Sequence, residues 1–346
     1  MATLQDIARL ANVSAATVSR ILNRDPNFAV AEQTLARVVQ VAEQLHYIPV
    51  RKRAPMQSEK TQGKISVLVF SSENQEVLDP YFVALREGVE RECVRQALGA
   101  PTVIRWFEDD HSPEIGDAHG LVVIGDSSKL RPQDLRNVAH VVFVDYISDP
   151  GLYDSVTLDF DHATKLVVDH LFQLGHKRIG YMGGTGYASQ PGRPTMDGRH
   201  AAFMRCMKDA GSFDERHVHL GTWDPAGGFD CASRAIGGGD LPTAFFIGSD
   251  PMAIGALRAF RDAGIRVPQD IAVVGFDDVK MAAYMHPALT TVRTHPKTMG
   301  SMAVKMVLDQ MRGRDVPVQI SIPPQLIVRE SCGAQMAGGR LAQSCS

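Results

Sequence analysis

Residues that staple, ligate or react are scarce in this chain. Its 346 residues include five cysteines, Cys93, Cys206, Cys231, Cys332 and Cys345. Their number is odd and their positions scattered, and no pair has metal-ligand or redox spacing. A disulfide framework, a zinc site and a thiol-redox centre are therefore not expected. None of the 12 histidines stands four residues from another. No Ser-His-Asp arrangement recurs at convincing spacing either. The glycine-rich Gly183-Gly-Thr-Gly186 lacks both G-x-G-x-x-G spacing and a P-loop lysine, which argues against a phosphate-handling enzyme. The expectation is a protein that is not an enzyme and uses no metal and no cofactor. No apolar run approaches membrane-spanning length, and the amino terminus enters a capped helix without a leader. No membrane partner is expected, and the expected location is cytoplasmic, on the nucleoid.

The charge is small but uneven. Net charge is −3 overall, yet residues 1–60 hold eight Lys/Arg against five Asp/Glu, and the remainder holds 28 against 34. A weakly basic head on an acidic body suits a head that touches phosphate and a body that does not. So small an excess implies that tight binding needs two heads.

Residues 3–22 read as two short helices joined by a tight turn. Thr3 is placed to cap the first, with Asp6 returning the bond, and Leu4, Ile7, Ala8 and Ala11 share one face. Asn12-Val13 makes the turn and Ser14 caps the second helix, in which Val18, Ile21 and Leu22 point inward. Ala15, Ala16, Thr17, Ser19 and Arg20 remain outside. An outer face without bulk lets a helix sit deep in a major groove, where hydroxyls and arginine reach phosphates and base edges. A third helix over 31–45 places Leu35, Val38, Val39, Ala42 and Leu45 on one stripe. The bare pattern also fits a generic small helical bundle.

Residues 50–62 are a basic, then polar linker. Beyond it, continuous apolar runs (65–70, 102–107, 121–124, 141–145, 179–182, 244–247, 271–275) alternate with helical ones (81–97, 163–174, 198–210, 252–263, 296–311). That alternation predicts an α/β body of parallel sheets with helices on both faces, in two lobes split near 158–160. Ligands of such sheets bind beyond the carboxyl ends of strands and, in a two-lobed protein, between the lobes. Asp145, Ser249, Asp250 and Asp277 each follow a strand-like run, and Arg199 opens a helix after a glycine-rich stretch. Carboxylates and a guanidinium converging on a cleft suit vicinal hydroxyls, the chemistry of sugars, and Trp223 offers a flat apolar face. Taken singly, each aspartate equally suits a helix cap or an ion pair.

These motifs resemble the LacI/GalR repressor family over residues 1–335. The resemblance is carried in the head by Asp6-Ile-Ala, Val13-Ser14, Ala16-Thr-Val-Ser-Arg20, Leu22-Asn23 and Tyr47-Ile-Pro49. In the body it is carried by 170–180, Gly248-Ser-Asp250-Pro, 267–278 and Pro287-Ala-Leu-Thr-Thr-Val292. It implies a homodimer on double-stranded operator DNA, released when a small-molecule sugar effector binds. The implied DNA-contacting residues are Thr3, Ser14, Ala15, Ala16, Thr17, Ser19, Arg20, Asn23, Tyr47, Arg51, Arg53 and Met56. Ala15 and Ala16 occupy the base-choosing positions and offer only methyl contacts. Met56 falls where the family wedges a side chain into the minor groove, but Pro55 before it breaks a short helix. The implied effector contacts are Asp145, Arg199, Trp223, Ser249 and Asp277. Ser249 stands where Asn is common and Thr294 where Gln occurs, so a wider pocket is expected. Asp79, Phe82 and Leu158 are further candidates from the first lobe, whereas Asp250 and Asp278 are read as capping the helices that follow. Within the family, Met1-Ala-Thr-Leu, Asn23-Arg-Asp-Pro26 and Asp79-Pro-Tyr-Phe82 are similar to β-galactosidase-operon members, which implies a galactoside effector. The implied organisation is a headpiece at 1–49, a hinge at 50–62, a body at 63–335 and a flexible tail at 336–346. Its lobes are 63–158 with 296–323, and 159–295 with 324–335. The dimer face is expected from 79–96 and 278–286. A regulator whose ligand strengthens DNA binding, such as a purine, is the alternative.

Overall fold

The computed structural model describes residues 4–22, 30–44, 63–106, 113–128, 130–185, 188–190, 193–194 and 196–334. Thr3, Asn23, Tyr47, Arg51, Arg53, Pro55, Met56 and the tail 336–346 lie outside these residues. The chain forms two compact units, Met1–Thr61 and Gln62–Ser346.

The first unit holds α1 (Leu4–Ala11), α2 (Ala15–Leu22) and α3 (Glu32–Gln44). Asn12 turns the chain with φ 50°, a conformation that Asn tolerates better than most residues. The Ser14 hydroxyl then accepts the Thr17 N–H at 3.0 Å, satisfying an orphan donor of α2. Ile7, Ala8, Ala11, Val18, Ile21, Val38 and Ala42 form the core. Arg37 Nε donates to the Ala11 carbonyl at 2.9 Å and so satisfies the end of α1. The stripe on α3 is narrower than its sequence implies: Leu35 is 45% and Val39 38% exposed. Two eight-residue helices cover only the arc of Val38, Val41 and Ala42.

The second unit is the two-lobed α/β body expected from the sequence. The first lobe contains β1 (Ile65–Val69), α4 (Glu73–Leu78), α5 (Pro80–Arg95), β2 (Thr102–Arg105), β3 (Gly120–Ile124), β4 (His140–Val144) and β5 (Asp154–Leu158). The second contains α6 (Phe160–Gln173), β6 (Ile179–Gly184), a hairpin of β7 (Ala188–Gln190) and β8 (Arg193–Pro194), and α7 (Gly198–Asp209). It continues through β9 (Val218–Gly221), α8 (Pro225–Gly237), β10 (Ala244–Ile247), α9 (Asp250–Asp262), β11 (Ala272–Asp277) and β12 (Thr290–Arg293). The chain then returns to the first lobe as α10 (Pro296–Met311) and β13 (Gln319–Ile322). It ends in the second lobe as β14 (Gln325–Ile327). Each lobe is a six-stranded sheet, β13-β5-β4-β3-β1-β2 and β14-β12-β11-β10-β6-β9, parallel except where β14 runs against β12. The lobes are thus joined by three crossings, at 158–160, 293–296 and 322–325.

Strands β1 and β3 are buried along their whole length, as parallel strands covered on both faces must be. The weaker apolar runs escaped the sequence pattern. Among them, α8 begins Pro-Ala-Gly-Gly, which reads as a loop. Its glycines instead permit backbone contact with α9: a Cβ on Gly228 would lie 1.9 Å from the Met252 carbonyl, and one on Gly255 1.8 Å from that of Pro225. Helices α5 and α10 meet in the same way through Gly88 and Gly300. Among the described residues, no helix is long and apolar enough to cross a membrane.

Candidate functional site

Strand ends and helix starts of the two lobes bring Asp79, Asp145, Asp197, Arg199 and Asp277 within electrostatic reach of one another. Asp79 and Asp145 belong to the first lobe, and the other three to the second. Each position follows from local geometry. Asp79 caps α5, accepting the Tyr81 N–H at 3.0 Å. Asp145 follows β4 with φ 64°, and Asp277 ends β11 with φ 109°. Left-handed backbone at two non-glycine residues of one cleft is the kind of strain that collects at binding sites. Asp197 caps α7, accepting the Arg199 N–H at 2.9 Å.

Arg199 is the centre of the cluster. Its Nε and Nη2 each donate to Asp197 at 2.8 Å, and its Nη1 donates to the Gly248 carbonyl at 2.8 Å. Its guanidinium lies 4.1 Å from the Trp223 ring, 5.4 Å from Phe160 and 5.3 Å from Phe276. A planar cation stacked and forked in this way is fixed in orientation. Three of its five N–H donors are committed among the described residues, leaving two for a ligand. Asp197 ionises below the usual range: the Arg199 charge and its hydrogen bonds more than offset burial.

Burial dominates the other carboxylates. It pushes Asp145 up to about 6 against the opposing pull of Arg199 and a hydrogen bond from Tyr81. It raises Asp277 well above the ordinary value, with Asp79, Asp250 and Asp145 adding like-charge repulsion. Asp79 is raised by burial too. A carboxyl group whose pKa burial raises can donate a hydrogen bond when protonated as well as accept one, which suits hydroxyl-bearing ligands.

The remaining expected contacts divide. Phe82 stacks edge-on against Tyr81 at 5.4 Å and lines the first lobe. Leu158 closes β5 and buries among Ala163, Phe246 and Phe276, so it plugs the second lobe's core. Ser249 is 1% exposed and its hydroxyl caps α9, accepting the Met252 N–H at 3.3 Å. Thr294 is 1% exposed with no partner for its hydroxyl. Asp250 does not cap α9. Its carboxylate accepts from the Thr291 hydroxyl at 2.6 Å and the Val279 N–H at 2.9 Å, because Ser249 already holds the cap. Asp278 likewise pairs with Arg293 at 2.7 Å and Arg329 at 2.6 Å instead of capping. Sequence reasoning missed Tyr81, Asp197, Phe160 and Phe276. Only Asp197 carried a signal: an aspartate two residues ahead of Arg199 at a helix start.

Helix α2 contains five of the expected contacts, Ala15, Ala16, Thr17, Ser19 and Arg20. Arg20 is exposed, Ala15 packs partly against the core, and the hydroxyls of Ser14 and Thr17 lie 2.9 Å apart. The side chains of Ala16 and Ser19 are outside the described residues. Among the described residues no cluster could hold a metal ion.

Residues 3–50 match the model of the bacterial regulatory proteins, lacI family, and residues 168–332 match that of a periplasmic binding protein-like domain. The chain is 39% identical over 347 residues to the HTH-type transcriptional repressor MelR of Bacillus subtilis (strain 168), covering 96% of this chain and 98% of that one. It is 32% identical over 337 residues to the HTH-type transcriptional regulator GanR of the same organism, covering 96% and 99%. Among solved structures it resembles a complex of the transcriptional regulator CelR with cellobiose, with TM-score 0.67, 25% identity and coverage of 96% and 100%. It also resembles the lac repressor dimer bound to operator and the anti-inducer ONPF, with TM-score 0.63, 26% identity and coverage of 96% and 99%.

Proposed function

The chain belongs to the lacI family of bacterial regulatory proteins and is a DNA-binding transcriptional regulator; from that premise we propose that a sugar held between its two lobes releases it from operator DNA. The observation that carries this reading is Arg199, forked onto Asp197, stacked on Trp223 and facing Asp145 and Asp277. A fixed guanidinium flanked by carboxylates matches vicinal hydroxyls, and Trp223 gives the site an aromatic wall. Ser249 spends its hydroxyl on α9. The solved CelR complex holds cellobiose, which is consistent with a sugar guest. Three short segments, read from the sequence alone as similar to β-galactosidase-operon members of the family, are the support for a galactoside.

Binding is assigned to the headpiece through Thr3, Ser14, Ala15, Ala16, Thr17, Ser19, Arg20, Asn23 and Tyr47, and to the linker through Arg51, Arg53 and Met56. The working unit is a homodimer that sets two heads on a pseudo-palindrome. Met281 and Tyr284, 59% and 82% exposed, sit on the expected 278–286 face, where a second copy would cover them. The test is an operator titration on DNA upstream of the gene, with and without a panel of galactosides and other glycosides. Tight binding alone and release by a glycoside support the reading. Binding that appears only with ligand reverses the sign of the switch.

A further inference from the structure

We infer that the cleft is selective by charge: it takes an uncharged glycoside and rejects the same sugar bearing a phosphate or carboxylate. The inference rests on the proposed sugar site and adds to it the ionic class of the guest.

The charge of Arg199 is already matched by Asp197, although two of its N–H donors stay open to a ligand. Arg199 gives two charge-assisted bonds to Asp197 and a third to the Gly248 carbonyl, and its flat face is covered by Trp223. Asp197 and Arg199 together are neutral. Asp79, Asp145 and Asp277 remain around them, and among the described residues Arg199 is a cation that acts on all three. Tyr81 from α5 and Asp250 from α9 also face this group and bring no positive charge. An entering phosphate carries up to about two negative charges. It would have to displace Asp197 or lie among carboxylates that burial already disfavours as anions.

A second observation points to neutral partners. Tyr181 and Thr294 are 0% and 1% exposed, and neither hydroxyl has a hydrogen-bond partner. Tyr181 lies under the cleft: a Cβ on Gly248 would meet its hydroxyl at 3.0 Å and the Trp223 ring at 3.1 Å. Thr294 follows the last residue of β12, at the strand ends that carry Asp277. Unpartnered hydroxyls both donate and accept, as sugar hydroxyls do.

Trp223 is one of two tryptophans in the chain, so intrinsic fluorescence reads the cleft. The full-length protein is titrated with lactose, melibiose, cellobiose and galactose, and in parallel with galactose 6-phosphate and galacturonate. Calorimetry serves as a second readout. The expected result is that a neutral sugar binds roughly 100-fold more tightly than either anion. Replacing Asp197→Asn should narrow that gap by about tenfold, because it removes the ionised carboxylate that neutralises Arg199 while keeping the side chain's size. A circular dichroism melt shows whether the variant folds. A phosphorylated or uronic sugar that binds as tightly as its neutral parent overturns the inference and leaves the sugar site standing. If no sugar of either class binds, the proposed site falls, and the inference with it.

Discussion

At the scale of single residues, the site is a contest between burial and pairing. Arg199→Lys keeps a charge but loses the fork to Asp197 and the flat stack on Trp223. Losing one charge-assisted bond costs about 1.5–3 kcal/mol, so sugar affinity should fall roughly 10- to 100-fold in a fluorescence titration while operator binding persists. Asp145 and Asp250 are pushed up by burial to about 6 and about 7. For an acid with a raised folded-state value, the folded protein holds a proton that the unfolded chain releases. The stabilising contribution is complete below the ordinary carboxylate range and is lost as pH rises through about 6 and then about 7. Asp145→Asn should therefore gain stability over the parent as pH rises from about 4 to about 6 and hold that gain above, seen in denaturant midpoints at each pH. A variant whose relative stability is flat across that range would show that Asp145 ionises normally.

Elements explain what single residues cannot. Asp145 and Asp277 were legible because a polar residue directly after an apolar run is conspicuous. Ser249 occupies the same kind of position and looked identical, yet its hydroxyl closes the first turn of α9. Ser249→Ala should thus cost about 1 kcal/mol of stability and leave sugar affinity nearly unchanged. A large loss of affinity without loss of stability would assign Ser249 to the ligand instead. Helix α8 was illegible for a different reason: its glycines carry no periodic signal, although packing on α9 depends on them. Gly255→Ala drives a methyl into the Pro225 carbonyl and should cost about 1–3 kcal/mol, read as a lower melting temperature. Gly237→Ala meets nothing within 4 Å and should be neutral or stabilising by about 0.5 kcal/mol. The aromatic bracket of Phe160, Trp223 and Phe276 unites three distant parts of the sequence. No local pattern announces it.

For the molecule as a whole, the two-lobed architecture was readable because alternating apolar strands and helices leave few topologies. The connection of cleft to headpiece was not, since it is a difference between two states. If sugar weakens operator binding by some factor, operator must weaken sugar binding by the same factor. Fluorescence titration of the protein with and without saturating operator DNA measures that factor directly. Equal sugar affinities in the two titrations would show that sugar bound in this cleft does not release operator.

The return of α10 and β13 to the first lobe sets an order of assembly. Residues 65–158 supply five of the six strands of that sheet, while Met299, Ala303, Val304, Met306, Val307 and Ile322 complete its core from near the end of the chain. Asp154 then anchors the returning segment, accepting from Gln310 at 2.7 Å and from the Val318 N–H at 2.8 Å. On a ribosome, the lobe begun first is finished only after the core of the lobe begun second has been made. Until then β5 is a bare edge beside an uncovered apolar face, a natural docking point for chaperones and a liability to aggregation. Messages cut short before residue 296 should leave insoluble fragments rather than a stray half-repressor competing for operator.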